Sequence, residues 1–86
     1  MEIITISMIK MRLDLLNDMV GITEKVSYKT IGGYTVYYAN GKTGIEKITC
    51  DSGAVTTIIP LGTKRETFDR VCSFIDGLCV GLTLNN

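Results

Sequence analysis

YTVYYANGKTGIEKITCDSGAVTTIIPLGTKRE, residues 34–66, holds three alternating segments with a turn signal at each break. Residues 34–39 and 44–50 are separated by Asn40-Gly41, and residues 54–61 follow Asp51-Ser52-Gly53. A two-residue Asn-Gly loop suits a type I′ turn, which needs positive φ at both central positions. That turn sets Val36 opposite Ile45 and Tyr34 opposite Lys47. Asp51-Ser52-Gly53 fits a three-residue loop whose glycine takes the left-handed position, placing Ile45 opposite Ile59 and Thr49 opposite Val55. Pro60 falls near the end of the third strand, where a missing backbone donor costs little. Gly62 turns the chain, and Thr63 with Glu66 forms a capping box that opens a helix.

Outward from this stretch, residues 24–31 alternate Val26, Tyr28 and Thr30 against Lys25, Ser27 and Lys29, which reads as a further strand closed onto residues 34–39 by Gly32-Gly33. Residues 7–20 read as a helix. Ile9, Leu13, Leu16 and Val20 line one face, and Met8, Met11, Leu15 and Met19 form an adjacent stripe. Lys10, Arg12, Asp14, Asn17 and Asp18 supply the solvated side, and Gly21 is placed to end the helix in the left-handed conformation. Residues 2–6 suit a short strand as well as a helix start. After the meander, Phe68, Val71, Cys72, Ile75, Leu78 and Cys79 form the buried stripe of a second helix, and residues 82–86 read as a tail. The expected architecture is α+β in one domain spanning residues 1–86: an N-terminal helix, a three- to four-stranded antiparallel meander and a C-terminal helix.

Alternation sorts the sheet into two faces. Tyr34, Val36, Tyr38, Ile45, Val55 and Ile59 belong to the core face. Thr35, Tyr37, Glu46, Ile48, Cys50 and Ile58 share the other, which is too apolar for a fully solvated surface. The whole chain shows the same surplus: 45 % of its 86 residues are apolar, with a mean hydropathy of +0.25. A chain this short buries a modest share of its surface. Self-association is therefore expected, with Met8, Met11, Leu15, Met19, Ile48 and Ile58 as interface candidates.

Nine basic and nine acidic residues cancel and the pI is near 6.1, which disfavours sequence-independent nucleic-acid binding. The N-terminus lacks a signal-peptide layout and no apolar run approaches a membrane span, so a cytoplasmic location is expected and no membrane partner. Cys50, Cys72 and Cys79 lack ligand spacing and the chain has no histidine; they read as buried thiols in a reducing compartment, with no metal and no cofactor expected. Without histidine, nucleophilic catalysis lacks its usual base, and helical carboxylates such as Glu66, Asp69 and Asp76 are ordinarily solvated. No glycine-rich loop matches a phosphate-binding fingerprint. The expected protein is not an enzyme. One feature suits an anion: the amino end of the second helix, with Thr63, Lys64 and Arg65 at free amides and a positive dipole end. Tyr28, Tyr34, Tyr37 and Tyr38 are candidates to stack a base, with Lys47 beside Tyr34.

The run 34–41, the hairpin after it, and Gly62-Thr-Lys-Arg-Glu-Thr-Phe-Asp-Arg-Val-Cys-Ser-Phe-Ile-Asp-Gly-Leu resemble small accessory proteins of bacteriophages. In those a tyrosine-rich hairpin leads through a Thr/Ser-Lys-Arg-Glu cap into a helix ending in an aromatic-Ile-x-Gly-Leu/Ile motif. The resemblance spans about residues 34–78. It implies an anti-defence role in the host cell cytoplasm. The leading form of that role is an oligomer that sequesters a small nucleotide immune signal, of cyclic nucleotide or ADP-ribose type. Under that reading Thr63, Lys64, Arg65, Tyr34, Tyr37, Tyr38 and Lys47 hold the ligand. The alternative is a protein–protein inhibitor of a host defence nuclease complex.

Overall fold

The structure, a computed structural model, describes residues 3–27 and 29–84, the side chains of the last three excepted. Helix α1 (Ile6–Met19) is followed by strands β1 (Tyr34–Ala39), β2 (Lys42–Ile48) and β3 (Val55–Gly62), then helix α2 (Lys64–Leu84). The strands form one antiparallel sheet in the order β1-β2-β3. The α+β order of helix, meander and helix is the expected one, with three strands.

Local chemistry explains most boundaries. Thr5 caps α1, its hydroxyl accepting from the Met8 amide at 3.3 Å while the Met8 sulfur accepts the Thr5 amide at 3.5 Å. Residues 3–5 are therefore a capping segment and not a strand, and Glu2 lies outside the described residues. At the other end Gly21 sits at φ +87°, with the Gly21 amide on Asp18 and the Ile22 amide on Asn17, a Schellman closure. The β1–β2 turn has φ +53° at Asn40 and +74° at Gly41, and the pairs Tyr34–Lys47 and Val36–Ile45 stand as the turn dictates.

The β2–β3 register departs from expectation at one end. Ile45 faces Ile59, but the register shifts on both sides of that pair, and Val55 faces Ile48 where Thr49 was expected. The extra residues lie on β3: Ile58 is skipped, and Pro60 and Leu61 together stand against Gly44. A residue with no N–H is well tolerated at such a bulge.

Residues 24–27 and 29–31 form no strand; Tyr28 lies outside the described residues. The Thr30 hydroxyl accepts the Ser27 amide at 3.0 Å and the Thr30 amide bonds the Ser27 carbonyl at 2.9 Å. Local bonds of this kind satisfy the backbone that a hairpin would otherwise pair. Gly32 and Gly33 instead bond to both sides of Ile48, as a continuation of β1.

Both helices pack on one sheet face. Ile4, Ile9, Leu13 and Leu16 meet Tyr34, Ile45 and Ile59, and Val71 and Ile75 of α2 complete the cluster. Tyr38 and Val55, expected in this core, are 55 % and 37 % exposed: they lie on strands at the sheet's rim and outside the buried cluster. The far face is less open than its composition suggests. Ile48 is 1 % exposed within the single chain, Ile58 packs against the core cluster, and Tyr37 lies across Gly44, whose added Cβ would stand 2.5 Å from the Tyr37 ring. Ile48 is thus buried within the single chain, whereas Tyr37 and Ile58 stay partly exposed.

The cysteines are also not buried: Cys50 and Cys72 are partly exposed and Cys79 is exposed. Helix α2 runs to Leu84, so residues 82–84 are helix where a tail was expected; Asn85 and Asn86 lie outside the described residues. Among the described residues no helix is long and apolar enough to cross a membrane.

Candidate functional site

The candidate ligand residues fall in separate places. Tyr34 is buried at the start of β1, where its ring meets Phe74 of α2 edge-on with centroids 5.8 Å apart. On its other side the Lys47 ammonium stands 5.6 Å from the ring centroid. Both are committed to packing and to each other by a cation–π contact. Tyr37 covers Gly44 on the far face. Tyr38 returns to the helix face, four residues and roughly 13 Å from Tyr34 at strand spacing. It is the only one of these three rings that is more than half exposed.

The start of α2 is built as expected but is already occupied. Thr63 accepts the Glu66 amide at 3.1 Å, and the Glu66 carboxylate accepts the Thr63 amide at 3.0 Å. Those bonds, with Arg70 3.5 Å from the other carboxylate oxygen, hold Glu66 below the usual carboxylate range; the Thr63 amide contributes most. A resident carboxylate at the helix start takes the seat an incoming anion needs and repels it at short range. Lys64 and Arg65 are exposed beside it. Thr63, Lys64 and Arg65 therefore form a cap, at the opposite end of the sheet from Tyr34 and Lys47.

Two concavities stand out among the described residues. One, of about 910 Å³, runs beside β1 between α1 and the segment after it. Tyr34, Thr35, Val36 and Tyr38 form its floor, with Lys10, Asp14, Asp18, Glu24 and Lys25 around it. Two lysines against three carboxylates give a rim poorly matched to a phosphate. The other, of about 370 Å³, is bounded by Met8, Met11, Arg12 and Leu15 of α1 and Phe68 of α2. Arg12 lies 5.7 Å over the Phe68 ring. Met11 is 69 % and Leu15 43 % exposed, whereas Met8 and Met19 are half-buried against the core. Of the six interface candidates, Met11 and Leu15 are thus the two that face outward.

Two buried polar residues that tie the helices to the sheet carry no signal in the pattern. Asn17, placed by its neighbours on the solvated side of α1, is buried. Its side-chain amide accepts the Tyr34 N–H at 2.8 Å and donates to the Tyr34 carbonyl at 3.1 Å. Thr67 is fully buried and donates to the Thr43 carbonyl at 2.9 Å, so the Thr43 hydroxyl, 2.8 Å away, donates to Thr67. Among the described residues no group of three or more acidic or cysteine side chains is arranged to hold a metal ion. No protein-family model matches the chain, and neither a curated protein nor a solved structure is significantly similar to it.

Proposed function

We propose that this chain acts by binding another protein, as a non-catalytic inhibitor, through the apolar groove between α1 and α2. The observation that carries this reading is the pair Met11 and Leu15, exposed on α1 beside Phe68 and Arg12. Flexible thioether and branched side chains around an aromatic floor form an adaptable apolar contact, with one cation at its edge to orient a partner. The resemblance to phage accessory proteins supports a component of host defence as the target, in the host cytoplasm.

Nucleotide sequestration is the second reading, favoured by one feature: the larger groove has Tyr34 and Tyr38 on its floor and Lys10 and Lys25 near it. The separation of Lys64 and Arg65 from Tyr34 and Lys47, at the other end of the sheet, weighs against it.

The test pairs two measurements. Met11→Glu with Leu15→Glu is expected to abolish inhibition and complex formation with the target while far-ultraviolet dichroism stays unchanged. Calorimetric titration with cyclic dinucleotides and ADP-ribose derivatives is expected to show no binding. Retained inhibition by the double variant, or a saturable nucleotide isotherm, would reject protein docking by this groove.

A further inference from the structure

β1 and β3 are the two edges of the sheet, and they are protected unequally. β3 carries Pro60 and two register shifts, devices that discourage another strand from pairing with it. β1 has neither. Its six residues, Tyr-Thr-Val-Tyr-Tyr-Ala, include no charge, proline or glycine, and its register with β2 is unbroken.

The hydrogen-bond phase of β1 follows from the hairpin. Ala39 and Lys42 close a two-residue turn, so Ala39, Tyr37 and Thr35 exchange bonds with β2, while Tyr34, Val36 and Tyr38 turn theirs to the open edge. Asn17 shows that phase directly, since it takes both the N–H and the carbonyl of Tyr34 from the outside. Among the described residues nothing bonds Val36 or Tyr38 on that side. Two N–H and two carbonyl groups are left facing the 910 Å³ groove.

We infer that this edge pairs with the same edge of a second copy, β1 antiparallel to β1 about a twofold axis through Tyr37. In that register Val36 exchanges both bonds with the partner's Tyr38, and Tyr38 exchanges both with the partner's Val36. The four bonds use every open group on both copies. Neighbouring registers do not: an axis through Val36 or Thr35 demands the backbone of Tyr34, which Asn17 already holds. Self-pairing sets no like charges opposite one another, because the strand has none. It also covers Tyr38, which is 55 % exposed, and sets Tyr37 beside its symmetry mate as a cross-strand aromatic pair. The product is one six-stranded sheet with a groove of Met11, Leu15 and Phe68 on each half. This inference concerns a different surface from the proposed inhibitor groove and stands independently of it.

The full chain is examined by sedimentation equilibrium over a concentration series spanning the micromolar range. The expected mass is twice 9.4 kDa, with dissociation on the order of micromolar, as suits an interface smaller than the standard size. Tyr38→Pro deletes one outward donor per copy without touching the ladder to β2, and should raise the dissociation constant about tenfold or more. Tyr37→Cys, in a background with Cys50, Cys72 and Cys79 replaced by serine, should oxidise to a covalent dimer. Directly opposed, non-hydrogen-bonded positions lie about 4.5 Å apart at Cα, within disulfide reach. Thr35→Cys should not. A chain that stays at 9.4 kDa throughout the series, including one that instead takes up an unrelated extended peptide, overturns the inference. So does a dimer indifferent to Tyr38→Pro, or one that cross-links through Thr35→Cys and not through Tyr37→Cys.

Discussion

Replacing Asn17 with alanine should remove a disproportionate share of the stability. Its side-chain amide links the end of α1 to the edge of β1 and satisfies both backbone polar groups of one residue, Tyr34. Alanine leaves that N–H and carbonyl stranded where Tyr34 itself is only 7 % exposed. Each stranded group costs about 1 to 3 kcal/mol, and water entering from the groove reduces the upper end, so about 2 to 4 kcal/mol is expected. A chain of this length has roughly 4 to 13 kcal/mol in total, so the loss is a large fraction of it. With a urea m-value of about 1 kcal/mol/M, the unfolding midpoint should fall by about 2 M or more with the slope unchanged. Asn17→Asp refines the test. Its carboxylate still accepts the Tyr34 N–H but turns a negative oxygen toward the carbonyl, and burial disfavours the charge. The folded pKa of the new acid is then raised, so its deficit against the wild type is full at neutral pH and narrows as pH falls through that value, where a protonated carboxyl can donate. An unfolding free energy for Asn17→Ala within about 0.5 kcal/mol of wild type would refute the assignment of Asn17 as a structural clasp.

Four further outcomes follow from the surroundings of single residues. Gly44→Ala should cost about 1 to 3 kcal/mol in urea unfolding, because a Cβ there stands 2.5 Å from Tyr37 and 2.7 Å from the Ile59 carbonyl oxygen. Gly77→Ala, where a Cβ meets nothing within 4 Å, should stabilise by about 0.5 to 1 kcal/mol; the reverse order of the two variants would contradict the packing. Glu66 has its folded pKa lowered by Thr63, so its contribution is present above the unfolded pKa of glutamate and is lost as pH falls through the lower folded value. The melting-temperature advantage of wild type over Glu66→Gln should therefore close in acid, and an advantage that persists there contradicts the cap. Cys50, held below the usual thiol range chiefly by the Ser52 hydroxyl at 2.8 Å, should alkylate faster than the partly exposed Cys72 near neutral pH. Ser52→Ala should slow it, as measured by mass-resolved iodoacetamide labelling.

Asn40-Gly41 made the β1–β2 pairing legible, since a two-residue turn with two positive φ angles admits one register. The β2–β3 pairing was legible only at Ile45–Ile59. Bulges at Ile58 and Pro60 add residues to one strand without disturbing its apolar alternation, so the slip to Ile48–Val55 left no trace in the pattern. Residues 24–31 show the converse: alternation was present, but Ser27 and Thr30 satisfied their own backbone, and Val26 packs against Gly33 in place of a strand partner. Thr63 and Glu66 were readable as a cap because capping is local. That the same carboxylate would occupy the anion seat required knowing where Glu66 turns. Asn17 and Thr67 were illegible for a related reason, because their partners lie 17 and 24 residues away and a polar residue buried by a distant contact resembles a solvated one in sequence. For the candidate site, alternation placed Tyr37 opposite in face to Tyr34 and Tyr38, whereas the burial of Tyr34 beneath Lys47 and Phe74 depended on α2.

Native mass spectrometry of the protein purified from a defence-competent bacterial host, run beside the Met11→Glu, Leu15→Glu variant, tests the binding function most directly. The expected result is a host polypeptide retained by the wild type, lost from the variant, and no small molecule released on denaturation. An assembly that releases an intact nucleotide-sized ligand from both proteins, with no polypeptide retained, would contradict protein docking and restore sequestration as the leading reading.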